Sequence, residues 1–173
     1  FAAVMDFAPQ EVTNHLFGSN ITAGADRLTN AGRKGIPQLF APGCYDLVDF
    51  VGWQAPPSRL EGYETHAHNR LLTSAMIAAK DRAEVAQVIC EKLAEATGPT
   101  EVILPLHGCN EWDRDGEPLH DAEGLRLFMD AMRKHMPPNA SVSELDCHIN
   151  DAGFAEAVLA IFDKWVAEGV VKR

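Results

Sequence analysis

Val142-Ser143-Glu144-Leu145-Asp146-Cys147-His148-Ile149-Asn150-Asp151 runs from a β-type segment straight into a strongly amphipathic stretch, Ala152 to Glu168. A buried strand over Val142–Leu145 followed by a helix over 152–168 puts Asp146, His148, Asn150 and Asp151 on a strand-to-helix loop. In open α/β sheets ligands bind at the carboxyl ends of the strands. Asn150 or Asp151 is also placed to cap the helix, which gives part of this polarity a structural reason. Phe154, Val158, Ile161, Phe162 and Trp165 recur at three- and four-residue spacings and read as core.

Outward from this stretch, three more β-type runs, Ala3–Asp6, Ile36–Phe40 and Val102–Leu106, alternate with helical patterns. That alternation predicts an α/β fold with a mostly parallel sheet and helices on its faces. A first helix is expected from Pro9 to Gly18 with Val12, His15 and Leu16 inward, and a second over Ala25 to Ala31. Asp81-Arg82-Ala83-Glu84 reads as a capping box opening a long helix through Ala96, with Val85, Val88, Ile89 and Leu93 inward. Asp121 is expected to cap a further helix that ends before Pro137-Pro138. Between Asp46 and Ala78 the pattern is weaker, with candidate strands at Leu47–Phe50 and Leu71–Ile77.

With 173 residues, 46% of them hydrophobic, the chain suffices for one domain with a full core. A formal charge of −10 and the lack of a basic run argue against binding to nucleic-acid backbones. No apolar stretch reaches transmembrane length and no leader pattern is present, so a cytoplasmic, membrane-free chain is expected. Phe1-Ala2-Ala3-Val4-Met5-Asp6 reads as the interior of a strand, and the chain is expected to be part of a longer protein. Cys44, Cys90, Cys109 and Cys147 are widely spaced and expected as free thiols.

Three loops carry candidate chemistry. Ala41-Pro42-Gly43-Cys44-Tyr45-Asp46 is a tight turn after a strand, as compatible with plain punctuation as with anion contact through its backbone. His107 to His120, around Gly108, is long for a compact domain and reads as a binding loop. Thr65-His66-Ala67-His68-Asn69 puts two imidazoles on one face of an extended segment, yet no third ligand lies at metal-site spacing, so no metal is assigned. No phosphate-loop or Gly-x-Gly-x-x-Gly pattern follows any strand, and no Gly-x-Ser-x-Gly elbow occurs. Acid–base chemistry by Asp146 with His148 is chemically open.

Several motifs taken together resemble the ATP-binding family of the tomato mosaic virus resistance protein and its bacterial relatives. They are Glu11 with His15-Leu16-Phe17-Gly18, Ala23 to Leu28, Gly35-Ile36-Pro37-Gln38, Pro42-Gly43 with Asp46, His68-Asn69, Leu104-Pro105-Leu106-x-Gly108, and Asp146-x-His148-Ile149-Asn150-Asp151. The resemblance spans Val4 to about Phe162. It implies a three-layer Rossmann-like domain, the second of two such subdomains, with nucleotide binding, of ATP above all, by the complete unit. It also implies a missing N-terminal subdomain as partner, and the apolar surface left by its absence is expected to drive homo-oligomer formation. The chain departs from the family at Phe7-Ala8-Pro9-Gln10, where hydroxyl residues are usual.

The leading expectation is therefore a ligand-binding half-domain whose wall is Pro42, Gly43, Asp46, His68, Asn69, Gly108, Asp146, His148, Asn150 and Asp151. Two alternatives stand beside it: a metal-assisted or acid–base enzyme using Asp146, His148 and His68 on a phosphorylated or carboxylated metabolite, and a protein-interaction module. Replacing His148 is expected to lower function more than stability.

Overall fold

A computed structural model describes residues 1–171. Strands β1 (Val4–Asp6), β2 (Gln38–Phe40), β6 (Thr100–Pro105) and β7 (Ala140–Leu145) form a parallel sheet in the order β1-β2-β6-β7. Strands β3 (Leu47–Val51), β4 (Thr65–Ala67) and β5 (Leu72–Met76) form a separate antiparallel sheet in the order β3-β5-β4. Helices α1 (Gln10–Leu16), α2 (Asn30–Arg33), α3 (Ala79–Leu93), α4 (Ala122–His135) and α5 (Ala152–Ala167) complete the chain.

The residues of β6 explain the layering. Thr100-Glu101-Val102-Ile103-Leu104-Pro105 is a nearly unbroken apolar run, as expected of a central parallel strand covered on both faces. Val102 and Leu104 join Phe40 and residues of α1, α3 and α4 in the larger core. Ile103 faces the other way and joins Leu39, Ala41, Phe154 and Val158 under α5. Helices therefore cover both faces of a mostly parallel sheet, a three-layer, Rossmann-like α/β arrangement. No helix among the described residues is long and apolar enough to cross a membrane.

The expected strands are present, displaced by up to two residues at their ends. The antiparallel sheet is the larger addition: the hairpin of β4 and β5 turns at Asn69, whose Oδ1 accepts from the amides of Leu71 and Leu72 at 2.8 and 2.9 Å. Asp121 caps α4 as expected, accepting from the Gly124 amide at 2.9 Å.

Three helix readings need correction. The capping box is absent: α3 starts at Ala79 with no side-chain cap, and Asp81 instead accepts from the Tyr63 hydroxyl. The second helix is a single turn over Asn30–Arg33. In α1, His15 is exposed, and Thr13 and Asn14 are buried beside Val12. Both polar groups have partners inside: the Thr13 hydroxyl donates to the Tyr45 carbonyl at 2.7 Å, and Asn14 Oδ1 accepts from the Asp49 amide at 2.9 Å. Hydrophobic spacing alone does not reveal an inward face built from such bonds.

Candidate functional site

The loops after β1, β2, β6 and β7 meet at the carboxyl edge of the parallel sheet. The Cys44 amide donates to the Cys109 carbonyl at 2.9 Å, the Ile149 amide to the Gly108 carbonyl at 3.1 Å, and the His107 amide to the Cys147 carbonyl at 3.1 Å. Gly43 is needed for close approach, since a Cβ there would collide with the Phe7 carbonyl oxygen. Gly108 has φ of +128° and lies where a Cβ would strike Asp113 and the His148 ring. Both glycines are thus explained by loop-on-loop packing.

Beneath these loops lies a buried polar layer. Arg82, 2% exposed, donates from Nη1 to the Tyr45 hydroxyl at 3.0 Å and from Nη2 to Asp121 at 2.9 Å, with Asp46 Oδ2 3.7 Å from Nη1. Asp46 is fully buried; its Oδ1 accepts from Asn110 at 2.9 Å, and its Oδ2 has no hydrogen-bond partner among the described residues. Burial raises its carboxyl from 3.8 to about 6 against the opposing pull of Arg82.

His148 belongs to this scaffold. It is 2% exposed; its Nδ1 accepts from the Asn150 amide at 3.0 Å, which leaves Nε2 to carry the proton. Nε2 donates to the Asn110 carbonyl and to Asp113 Oδ1, each at 2.9 Å. Asp113 Oδ2 in turn accepts from the Cys109 amide at 2.6 Å. Both imidazole nitrogens are engaged within the protein, and the ring pins the β6 loop to the β7 loop.

Above the scaffold opens a cleft of about 570 Å³. Phe7, Leu47, Trp112, Ile149 and Phe154 give it apolar walls, and Gln10, Asp49, His68, Asn110, Glu111 and Asn150 give it polar edges. His68 approaches the Trp112 ring edge-on, with centroids 5.5 Å apart. The side chains of Gln10 and His68 make no hydrogen bond among the described residues and so have free polar groups at the cleft. Cys44 also lines it, but burial, with Asp46, Asp49 and Asp113 adding repulsion, pushes its thiol up to about 12. A thiol so shifted is not a nucleophile at neutral pH.

A polar wall bounds this cleft on the side of α4. Asn150 donates to Glu111 at 3.0 Å, and Arg114 joins Glu111 and Asp151 at 3.1 Å each. Glu111 is held below its usual range, first by Asn150 and then by Arg114; Asp151 is lowered by the His148 amide and then by Arg114.

Among the residues expected from sequence, Gly43, His68 and Asn150 line the cleft. Pro42, Asp46 and Gly108 are buried in its base. Asn69 serves the hairpin turn. Asp151 occupies the N-cap position of α5 without a side-chain cap bond, its carboxylate turned to the His148 amide and Arg114. The Asp146–His148 pair is not formed: Asp146 is 91% exposed and sits 2.8 Å from His107. The His148 ring, held from both sides, cannot reach a carboxylate outside the scaffold, so the acid–base expectation is corrected. Among the described residues no group of three or more His, Cys, Asp or Glu side chains is placed to hold a metal ion. His66 and His68 approach Trp112, with ring centroids 6.4 and 5.5 Å away. Glu11 is occupied too: with Asp6 it clamps Arg27, which lies 3.1 Å from Glu11 and 2.8 Å from Asp6 Oδ1.

Sequence reasoning missed Arg82, Asp113, Trp112 and Asp49. A signal for Arg82 exists: it precedes Val85, Ala86 and Ile89 at three-, four- and seven-residue spacings, placing a guanidinium on the apolar stripe. A charge there needs a buried partner.

The architecture is that of a Rossmann-like α/β domain with a cleft at the carboxyl edge of its parallel sheet. The chain belongs to the uncharacterised protein family UPF0261 as its C-terminal domain, whose family model matches residues 1–166. It is 49% identical over its whole length to a UPF0261 protein of Brucella melitensis, covering 41% of that protein. It is 30% identical over 164 residues to one of Mesorhizobium japonicum, again covering 41%. A more distant similarity, 27% over 161 residues, is to the ToMV resistance protein Tm-1(GCR237) of Solanum lycopersicum, of which it covers 21%. The chain thus spans about two fifths of the length of its bacterial relatives.

Proposed function

We propose that this domain binds a nucleotide, ATP being the leading candidate, and that the carboxyl-edge cleft takes the flat heterocyclic end. The observation that carries the reading is the lining of that cleft: aromatic and aliphatic walls from Phe7, Trp112, Ile149 and Phe154 beside the amides of Gln10, Asn110 and Asn150. Stacking on such a ring contributes roughly 1–3 kcal/mol per base, and amide edges select among donors and acceptors. The resemblance of the motifs to an ATP-binding family supports the same reading. No lysine or arginine among the described residues lines the cleft, so phosphates gain little here. They are left to the remaining part of the longer protein.

Calorimetry with adenosine and with ATP, backed by quenching of tryptophan fluorescence, tests this. Adenosine and ATP are expected to bind this chain weakly and with similar affinity, and Trp112→Ala to remove both signals. Binding of neither ligand to the full-length protein overturns the reading.

The exposed apolar flank of the domain favours a second role, contact with the rest of the longer chain. Leu159 is 55% and Met5 40% exposed, and Ile161, Phe162 and Trp165 are only half-buried. Covering that flank with the N-terminal part of the protein would bury it. Sedimentation of this chain alone is expected to show self-association that Leu159→Asp reduces.

A further inference from the structure

We propose that a second cleft, on the α4 side of the polar wall, binds a phosphorylated small molecule at Arg114 and Arg126. This site is separate from the carboxyl-edge cleft, and its case does not rest on the nucleotide reading. The cavity measures about 600 Å³, and three arginines, Arg114, Arg126 and Arg133, line it together with His107 and His120. Asp115 and Asp151 are the carboxylates in the same lining. The same arginines pair with Glu111, Asp130 and Glu144 just behind the lining, so their charges are balanced locally and what they offer a ligand is N–H donors.

The arginines are held in place and still have donors to give. Arg114 uses Nε on Glu111 and Nη1 on Asp151, and its Nη2 makes no hydrogen bond among the described residues. Arg126 uses only Nη1, on Asp130 at 3.0 Å, which leaves Nε and Nη2. Arg133 is the exception: all three of its nitrogens are engaged by Asp130 and Glu144. Arg126 and Arg133 lie seven residues apart on α4, two turns along one face. A guanidinium already fixed by a carboxylate loses less freedom when its remaining edge meets a ligand. Planar forks of N–H donors match phosphate oxygens better than a single ammonium does. Leu106, Leu125 and Met129 supply apolar surface in the same cavity, which suits a phosphate carried on a carbon skeleton better than a bare ion.

Calorimetric titration with inorganic phosphate, at ionic strength matched with sodium chloride, tests the assignment, with citrate as the carboxylate arm. Saturable phosphate binding is expected, weakened about tenfold or more by Arg126→Gln and by Arg114→Gln, as removal of one charge-assisted hydrogen bond predicts. Arg126 is 61% exposed, so its replacement is expected to leave the fold intact, and circular dichroism of both variants checks this. Trp112→Ala, in the other cleft, is expected to leave phosphate binding unchanged. The proposal is overturned by absence of saturable binding, by binding that both arginine variants retain in full, or by citrate binding where phosphate does not. A loss in Trp112→Ala equal to that in the arginine variants overturns the separation of the two sites.

Discussion

The carboxyl-edge cleft and the α4 cleft are shaped by the same two loops, those after β6 and β7, yet the first is lined by aromatic rings and amides and the second by arginines and histidines. Between them stands one wall of paired groups: Asn150 on Glu111, His148 on Asp113, and Asp151 on Arg114. The comparison separates two kinds of polar residue. Those whose donors and acceptors are consumed inside the wall fix its shape, and those with groups to spare, such as Gln10, His68 and Arg126, give each cleft its chemistry. Substitutions within the scaffold should therefore damage both clefts together, and substitutions on the linings only one.

The sharpest way to break that division is Arg82→Met. The change removes the one cation among the described residues beside the fully buried Asp46, and takes the guanidinium from Asp121 Oδ2 and from the Tyr45 hydroxyl. Breaking a buried pair from one side typically costs about 3–5 kcal/mol. Urea denaturation is expected to show a loss of that order, with ligand binding lost at both clefts. A loss below about 1 kcal/mol, against that range, would mean that the clefts do not share a base.

The same network gives the next largest effect, through pH. Asp46 has its carboxyl raised from 3.8 to about 6, mainly by burial. The folded state therefore holds the proton more tightly than the unfolded chain. Its stabilising contribution is fully present below pH 3.8 and is lost as pH rises through about 6. Denaturation midpoints measured across that window should contain a falling component that Asp46→Asn removes. An identical pH profile in the variant would place the titration elsewhere.

The layering was legible in the sequence because it depends on apolar runs and helical spacing, as in Val102–Leu104 and in Leu125, Phe128, Met129 and Met132. The meeting of Gly43, Gly108 and Asn150 at one edge was legible too, since each follows a parallel strand. What escaped the reading were groups defined by partners distant in the chain. Asp121 and Asp46 lie 39 and 36 positions from Arg82, and Asp113 lies 35 from His148. Nothing in local spacing says that Asp146 turns to solvent while His148, two residues on, turns inward. Alternation on an extended segment would have given them the same face.

That pair supplies the smallest effects and the finest test. In His148→Ala the Asp113 Oδ1 and the Asn110 carbonyl lose their donor beneath the surface, and the Asn150 amide, which is only part-buried, loses its acceptor. Leaving a buried polar group unpartnered costs about 1–3 kcal/mol, so a stability loss of at least that size is expected. Asp146→Ala removes only an exposed contact with His107, and a shift within about 0.5 kcal/mol is expected, as for surface substitutions generally. Measured side by side by chemical denaturation, the two variants decide whether the conspicuous polar loop after β7 is chiefly chemistry or chiefly architecture. If His148→Ala keeps its stability and loses ligand, the imidazole acts on a ligand directly. If instead it loses stability and Asp146→Ala does not, the histidine is the pin of the wall, and the chemistry of both clefts lies with the side chains around it.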